Sequence, residues 1–283
     1  MTIKKIEENL EEGVSLKTIA QAYSEIANLK IKRIHSEVER NRVFFQEISK
    51  VYALIKNLAQ KKAVNIKKPK RLISLLITSN YRFYGSINSD LIEFFINTTK
   101  GFETDRIVLG KAAIDYFKAS KTFNNLQTLL LKSDQPDAIE LTGLINIIKD
   151  YNQVLIFHSR LKSLLIQQPT VTDITATSTA SEQNLLNQDN KFKFIFEPEL
   201  SKILAFFDSQ ILTLLLEDTF LESELSRTAS RFIAMDQAET EANKFIKEMM
   251  LLKAYAKRSE DNKTILENFA SMAAIRKVKY ESS

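Results

Sequence analysis

The sequence contains no cysteine, and it has only 5 glycines and 4 prolines among 283 residues. The lack of cysteine excludes disulfides and thiolate chemistry and agrees with a reducing compartment. No apolar run reaches the ~18 residues of a membrane-spanning helix, and the first residues lack the apolar stretch of a secretory signal. The scarcity of glycine excludes the phosphate-binding loops G-x-G-x-x-G and G-x-x-x-x-G-K-[ST], since Gly110-Lys111 lacks the earlier glycine and the following hydroxyl residue.

Residues that carry catalysis are also sparse. The only histidines, His35 and His158, stand far apart in the sequence without a neighbouring set of ligands, so we predict no metal site. No serine has the local sequence of a nucleophile elbow. We therefore predict that the chain is not an enzyme and that it binds no cofactor.

Residues 199–283 contain neither glycine nor proline, the two residues that most disfavour a helix interior. Apolar and small residues recur there in steps of three and four: Leu225, Ala229, Phe232, Met235, Ala238, Ala242, Phe245, Met249, Leu252 and Ala256. This spacing predicts one helix from Glu199 to about Arg276, on the order of 115 Å long at ~1.5 Å per residue. No compact domain encloses such a rod, so we expect a second element along its stripe and other proteins around the rest.

A matching stripe occupies the N-terminal part of the chain, where the first proline is Pro69. Its members are Leu16, Ile19, Tyr23, Ile26, Ala27, Ile31, Ile34, Val38, Phe45, Ile48, Tyr52, Ile55 and Leu58. The heptad-like spacing predicts a long helix over about residues 16–62, antiparallel to the C-terminal helix because the middle of the chain returns to the same end. A stand-alone coiled-coil adaptor satisfies this pattern equally well.

The middle of the chain has the alternation of a small parallel α/β sheet. We predict strands at 71–78, 105–110, 153–160 and 191–196, with helices at 90–98 and 136–150. Residues 111–120 and 123–131 have a mixed character, and residues 169–190, rich in Thr, Ser, Asn and Gln, are predicted to be a mobile surface loop. The predicted organisation is a shaft helix in residues 1–70, an α/β domain in 71–198 and a second shaft helix in 199–283.

Positive charge is concentrated in the first 70 residues, for example at Lys30, Lys32 and Arg33. Acidic residues interleave with these cations, as at Glu25 and Glu37. A nucleic-acid stripe, an acidic protein partner and an ordinary solvated face all agree with such a helix. We expect the solvated face rather than nucleic acid.

Five segments resemble motifs of one family in the right order across nearly the whole chain. They are the helix segment 19–33, the strand and turn of Leu75–Ser79 with Gly85 and Asn88, Gln168–Val171, Phe194–Pro198, and Ser226–Ala238 with Arg231 and Ala234-Met235. Together they are similar to the gamma subunit of rotary F-type ATP synthases. The fold that this resemblance implies is mainly helical, an antiparallel coiled coil of the two long helices with a small Rossmann-like α/β domain inserted between them.

The resemblance also implies a function and a set of partners. Gamma subunits form the central stalk, which rotates inside a hexameric ring of alpha- and beta-type ATPase subunits and couples its rotation to ATP synthesis or hydrolysis there. Further implied partners are an epsilon-type subunit and, in complete synthases, a ring of membrane c subunits, while no nucleic acid and no membrane span of its own are implied. The expected location is the cytoplasmic side of the cell membrane, peripheral through the complex.

By the same resemblance we expect eight residues to contact partners: Tyr23, Ile26, Ala27, Lys30, Arg231, Met235, Lys257 and Arg258. The last two would stand for a cationic segment near the family's C-terminus, although a solvated helix face explains them equally well. The sequence departs from the family at Asn80–Tyr84, where most of a glycine-rich turn is lost, and at Asp261–Phe269. These departures leave a second possibility, the shaft of a paralogous complex that hydrolyses ATP for other work.

Overall fold

The computed structural model describes residues 2–60, 72–123, 125–175 and 199–281. Two long helices, α1 (Ile3–Gln60) and α5 (Leu200–Glu281), flank a series of strands and shorter helices. Those elements are β1 (Leu72–Ile77), α2 (Ile87–Thr99), β2 (Asp105–Leu109), α3 (Lys111–Ser120), β3 (Leu126–Leu129), α4 (Ala138–Ile148), β4 (Gln153–Ser163) and β5 (Ile166–Asp173). The predicted fold class, paired long helices with a small α/β domain between them, is confirmed.

The chain divides into two compact units. The first unit comprises Met1–Glu25 with Ala234–Ser283, and the second unit comprises Ile26–Ile233. In the first unit α1 and α5 pack antiparallel, because Glu7 pairs with Lys253 at 2.8 Å and Gln21 donates to Glu239 at 2.7 Å. In the second unit they are also antiparallel, since Lys30 pairs with Glu224 and the ring of Tyr52 stacks on that of Phe207.

The contact stripe of α1 in the first unit differs from the predicted one. Its buried positions are Ile6, Gly13 and Ala20, seven residues apart, whereas Leu16 and Ile19 are 62% and 53% exposed. At Gly13 an added Cβ would lie 3.0 Å from the ring of Phe245, so the small residues allow the two backbones to approach. The apolar pattern did not distinguish this small-residue stripe from the neighbouring stripe of larger side chains.

The sheet of the second unit has the order β3-β2-β1-β4-β5. The first four strands in this order are parallel, and β5 is antiparallel to β4. Alternate residues of the central strand β1 enter two cores: Leu76 joins the aromatic cluster of α2 and α3, with Phe95 and Phe117, and Leu75 joins the cluster that includes Phe220 of α5. The period-two alternation of a strand thus places α2 and α3 on one face of the sheet, and α4 with the two long helices on the other.

Two predictions for the middle of the chain need correction. Residues 169–173, predicted as part of a loop, belong to β5, because Thr and Val fit a pleated strand as readily as a polar loop. The mixed segment 123–131 contains β3. Residues 176–190 of the predicted loop and the predicted strand at 191–196 lie outside the described residues.

Candidate functional site

Four of the predicted contact residues lie on α1. Tyr23, in the first unit, is half-buried, and Ile26, in the second, is 55% exposed. Ala27 is buried, and Lys30 forms an ion pair with the buried Glu224 of α5. Of these four residues, Ile26 offers the largest apolar surface to another molecule.

The other four predicted contact residues lie on α5. Arg231 and Met235 are buried, whereas Lys257 and Arg258 are exposed. Within the described part of the chain, these two cations make no hydrogen bond or ion pair. The structure thus leaves Lys257 and Arg258 accessible to another molecule, and we leave the buried Ala27, Arg231 and Met235 out of the contact surface.

The last turns of α5 extend past the residues that pack against α1. Every residue from 257 to 272 is exposed. Four large apolar side chains follow one another there at helical spacing: Ile265, Leu266, Phe269 and Met272, from 50% to 68% exposed. A run of such residues without a covering element is typical of a surface that another protein covers.

Large apolar side chains also face outward along the paired part of the first unit. On α1 they are Val14, Leu16 and Ile19, and on α5 they are Phe245, Met250, Leu251, Leu252 and Tyr255. The residues between the two helices are in part small, such as Gly13, Ala20 and Ala242. The first unit therefore keeps part of its apolar surface on the outside.

Arg231 holds the turn after β1 against α5. Its guanidinium carbon lies 3.9 Å from the ring centroid of Tyr84, and its Nη2 donates to the carbonyl of Arg82 at 2.9 Å. Tyr84 donates its hydroxyl to Asp134 at 2.6 Å, and its carbonyl accepts the hydroxyl of Ser230 at 2.8 Å. Burial raises the pKa of Tyr84, and the neighbouring Asp134 carboxylate raises it further, so the phenol remains a neutral donor.

Helix α5 carries a belt of buried polar residues between Thr219 and Arg231. Arg227 is fully buried, and its Nη1 donates to the hydroxyl of Ser223 at 2.8 Å. The carbonyl of Ser223 in turn accepts a hydrogen bond from the hydroxyl of Ser159, within β4, at 3.2 Å. The sequence analysis did not single out Arg227, because arginine is almost always exposed. The serine and threonine residues beside it in the sequence were the available signal.

The sheet has a topological switch point at β1, which pairs with β2 on one side and with β4 on the other. Open α/β sheets commonly bind ligands at such a point. In this chain β4 is in contact with α5 through Ser159, two residues beyond the position that pairs with Leu76 of β1, and Ser223. The turn after β1 is covered by Arg231 and by Ser230. The helix therefore lies where a small ligand would otherwise bind.

The first amide groups of α3 are likewise already hydrogen-bonded within the chain. The amides of Lys111, Ala112 and Ala113 donate to Asn80 Oδ1, Ser79 O and Thr78 Oγ1 at 3.0, 3.0 and 3.2 Å. Gly110 allows this close approach, because a Cβ there would lie 2.3 Å from the carbonyl oxygen of Thr78. A helix N-terminus binds an anion through amides that have no other acceptor, so the Gly110-Lys111 segment is built for packing.

No helix among the described residues is long and apolar enough to cross a membrane. A comparison with protein-family models matches residues 2–275 to a family described as ATP synthase. Among curated proteins, the ATP synthase gamma chain of Ruthia magnifica is 23% identical over 290 residues and covers 96% of this chain and 99% of its own length. The gamma chain of Stenotrophomonas maltophilia is 22% identical with the same coverage.

Solved structures show the same fold. A chain of the Euglena gracilis mitochondrial ATP synthase, from a structure of its OSCP, F1 and c-ring parts, aligns with a TM-score of 0.66 at 16% identity. That alignment covers 98% of this chain and 96% of the other. A chain from the central stalk and c-ring of the Tetrahymena thermophila enzyme aligns with a TM-score of 0.57 at 19% identity, and covers 78% of this chain and 99% of its own.

Proposed function

This chain belongs to the ATP synthase gamma-chain family, and on that premise we propose that it is the shaft that turns inside a ring of alpha- and beta-type subunits. The chain is the non-catalytic central stalk, and ATP is made or hydrolysed on the subunits of the ring. The observation that carries the proposed contacts is the exposed end of α5, where a stripe of apolar side chains follows Lys257 and Arg258.

The exposed end of α5 suits a surrounding protein surface. Burial of each large apolar side chain contributes about 1.5–3 kcal/mol, so Ile265, Leu266, Phe269 and Met272 together favour an enclosed site. Arg258 can grip a carboxylate at two points and Lys257 can bind carboxylate or carbonyl oxygens, more strongly when water is excluded. We propose these six residues, with Tyr23 and Ile26 of α1, as contacts to the ring.

Coupling by such a shaft requires a rigid element that presents different faces to the sites around it. Helix α5 is a single helix of 82 residues without glycine or proline. The two helices present different side chains outward, so the pair is asymmetric. Each site of a surrounding ring therefore contacts a different surface of the pair. Rotation of the shaft therefore changes the surface that each site contacts.

The proposal includes further partners and a location. The solved relatives come from assemblies that contain F1 parts and a c-ring, and we propose an epsilon-type subunit and a c-ring as partners of this chain, at the cytoplasmic side of the cell membrane. The shaft of a paralogous complex that hydrolyses ATP for work other than ion-coupled synthesis was suggested by the departures at Asn80–Tyr84 and Asp261–Phe269. It is not favoured, because the relatives are gamma chains of ATP synthases. A stand-alone adaptor is not favoured, because the relatives are gamma chains along their whole length.

The test is a double change, Lys257→Ala with Arg258→Ala, in a complex reconstituted with its alpha- and beta-type subunits. We expect the ATPase rate to fall at least threefold, while the helix content of the isolated chain is unchanged because both side chains are exposed. A matched change, Lys118→Ala with Lys121→Ala on the exposed surface around α3, should leave the rate unaltered. An unchanged rate in the first variant would remove both residues from the contact surface, and a wild-type chain that fails to join the ring would overturn the shaft proposal itself.

A further inference from the structure

The guanidinium of Arg227 is a buried charge that uses only part of its hydrogen-bonding capacity. The residue is fully buried on α5, and every residue from 223 to 229 is buried with it. Its Nη1 donates to the hydroxyl of Ser223 at 2.8 Å, whereas Nε and Nη2 have no hydrogen-bond partner among the described residues. Arginine is almost never fully buried unless it is paired. We therefore looked for the group that balances this charge.

The two nitrogens without a partner lie on the same edge of the guanidinium plane. The N–H groups of Nε and Nη2 point in parallel, and arginine uses this edge to hold an anion at two points. Ser226 and Thr228, the neighbours of Arg227 on the helix, have buried hydroxyls that also have no partner among the described residues. A hydroxyl can rotate to donate. This part of α5 thus carries one full positive charge and several donors suited to an anion.

The carboxylates along this part of α5 are paired with other cations. Glu222 forms an ion pair with Arg160 of β4 at 3.0 Å, and Glu224 forms an ion pair with Lys30 of α1 through its Oε1. Glu224 precedes Arg227 by three residues, and its Oε2 is buried without a hydrogen-bond partner in the described chain. No ion pair joins Glu224 to Arg227. The helix itself therefore does not neutralise Arg227.

The side chains near Arg227 on the sheet are neutral. Burial lowers the pKa of His158 to about 4 and raises that of Tyr84, and the nearby charge of Arg227 acts to lower both pKa values. The imidazole and the phenol are thus uncharged at pH 7. Asp134 accepts the hydroxyl of Tyr84 and the backbone amide of Asn80, each at 2.6 Å. Among the residues described in β4 and in the turn after β1, none forms an ion pair with Arg227.

We propose that the Nε and Nη2 edge of Arg227 binds one small monovalent anion, such as chloride, where α5 packs against β4 and the turn after β1. One negative charge balances one guanidinium, and the two parallel N–H groups hold it in a fixed position. A small ion suits the site because the helix is covered on every side from residue 223 to 229. The anion would stabilise the folded second unit, and the inference does not depend on the proposed shaft function.

The first experiment measures the thermal unfolding of the full chain in sodium chloride and in sodium gluconate at equal ionic strength. Gluconate is too large for a covered site, so only the specific effect of chloride differs between the two salts. We expect the unfolding midpoint to be about 3–5 °C higher in chloride when chloride is present at about ten times its Kd, by mass action. Equal midpoints in the two salts at every concentration would overturn the proposal.

The second experiment repeats this comparison with Arg227→Met, which removes the charge and the donors. We expect the difference between chloride and gluconate to disappear. The matched variant is Arg40→Met, at an exposed arginine of α1 that has no ion pair with a described residue; it should keep the difference. A difference that persists in Arg227→Met would place the anion elsewhere and overturn the proposal.

Arg227→Lys covers the case in which Arg227→Met does not fold. Lysine keeps the charge and loses the planar pair of N–H groups, so we expect the apparent Kd for chloride, obtained from the midpoints, to rise at least fivefold. An unchanged Kd would contradict the two-point contact.

The third experiment locates the ion directly in crystals of the unaltered chain grown in sodium bromide. We expect an anomalous difference peak about 3.5 Å from both Nε and Nη2 of Arg227, slightly longer than an N–H···O hydrogen bond because bromide is larger than oxygen. Water at this place, or bromide at surface sites alone, would overturn the proposal. A bromide peak at Arg227 without any effect of chloride on stability would identify an adventitious ion only, and would also overturn it.

Discussion

Two stretches of the same helix, α5, have opposite surroundings. Between Thr219 and Arg231 almost every side chain is buried, although many are Ser, Thr, Glu or Arg. From residue 257 to 272 every side chain is exposed, although Ile265, Phe269 and Met272 are among them. Residue type alone would assign the first stretch to a surface and the second to a core, so burial along α5 follows from what lies around the helix.

The difference shows that the chain itself covers the first stretch and leaves the second open. Part of the polar belt has partners on α1, on β4 and on the turn after β1, as with Lys30, Ser159 and Arg82. The buried Nε and Nη2 of Arg227 and the hydroxyls of Ser226 and Thr228 have no hydrogen-bond partner among the described residues. Polar groups pack inside a protein when such partners are present, and unpaired ones are costly. The exposed end has no such complement within the described chain, and its apolar side chains are available for another protein.

The largest expected effect is on the free energy of unfolding, when phenylalanine is replaced by alanine in each of the two stretches. Phe220→Ala should lower the free energy of unfolding by about 3–5 kcal/mol, because Phe220 is fully buried in the core between the sheet and the long helices. Phe269→Ala, at a side chain that is 66% exposed, should change it by less than about 0.5 kcal/mol. Urea denaturation followed by circular dichroism measures both, and equal effects would contradict the comparison.

One pH effect should come from His158, which is buried in β4. Burial lowers the pKa of His158 from 6.5 to about 4 in the folded chain, so the unfolded chain takes up a proton first as the pH falls. The stability that His158 contributes is therefore full above pH 6.5, is lost as the pH falls toward 4, and changes no further below, by at most about 3 kcal/mol. His158→Gln should flatten this part of the stability curve.

The matched variant for the pH effect is His35→Gln, on the exposed part of α1. It should leave the loss of stability between pH 6.5 and 4 in place. A curve for His158→Gln that falls as steeply as that of the wild type would show that other groups cause the loss. Stability at each pH is obtained from urea midpoints at constant ionic strength.

A smaller difference in stability is expected between alanine variants of the two arginines in the predicted contact set. Arg231→Ala should cost about 2 kcal/mol, since it removes the stacking on Tyr84 and the hydrogen bond to the Arg82 carbonyl. Arg258→Ala should leave stability unchanged, because the side chain is exposed and makes no hydrogen bond or ion pair with any described residue. Thermal unfolding of the two variants distinguishes an arginine that holds the fold from one that is free to bind a partner.

The sequence predicted the fold because its strongest signals are local. The absence of helix breakers after Glu199 and the apolar spacing before Pro69 predicted both long helices, and the strand-forming runs predicted β1, β2 and β4. Less was predictable where an element depends on its neighbours. The short strand β3 and the strand β5 owe their state to pairing with β2 and β4 rather than to a distinctive sequence.

The candidate contact residues fall into a buried and an exposed group, because a sequence motif does not show what surrounds a residue in the fold. Family resemblance selected Ala27, Arg231 and Met235, which the structure buries, together with Ile26 and Arg258, which it exposes. A motif records that a residue type is required at a position, and packing within the chain requires residues as strictly as contact with a partner does. Only the fold shows which of the two requirements applies at each position.

The small residues Gly13, Ala20 and Ala242 between the helices of the first unit have a consequence for the life of the chain in the cell. Small side chains bury little apolar area, so these positions add little stability to the interface of the pair. Large side chains such as Leu16 and Leu251 face outward, although Ile6, Ile246 and Met249 are buried. A newly made copy that has not met its partners is then an orphan subunit, prone to aggregation and open to chaperones and proteases. Its abundance would follow the supply of partner subunits, and assembly itself would act as quality control.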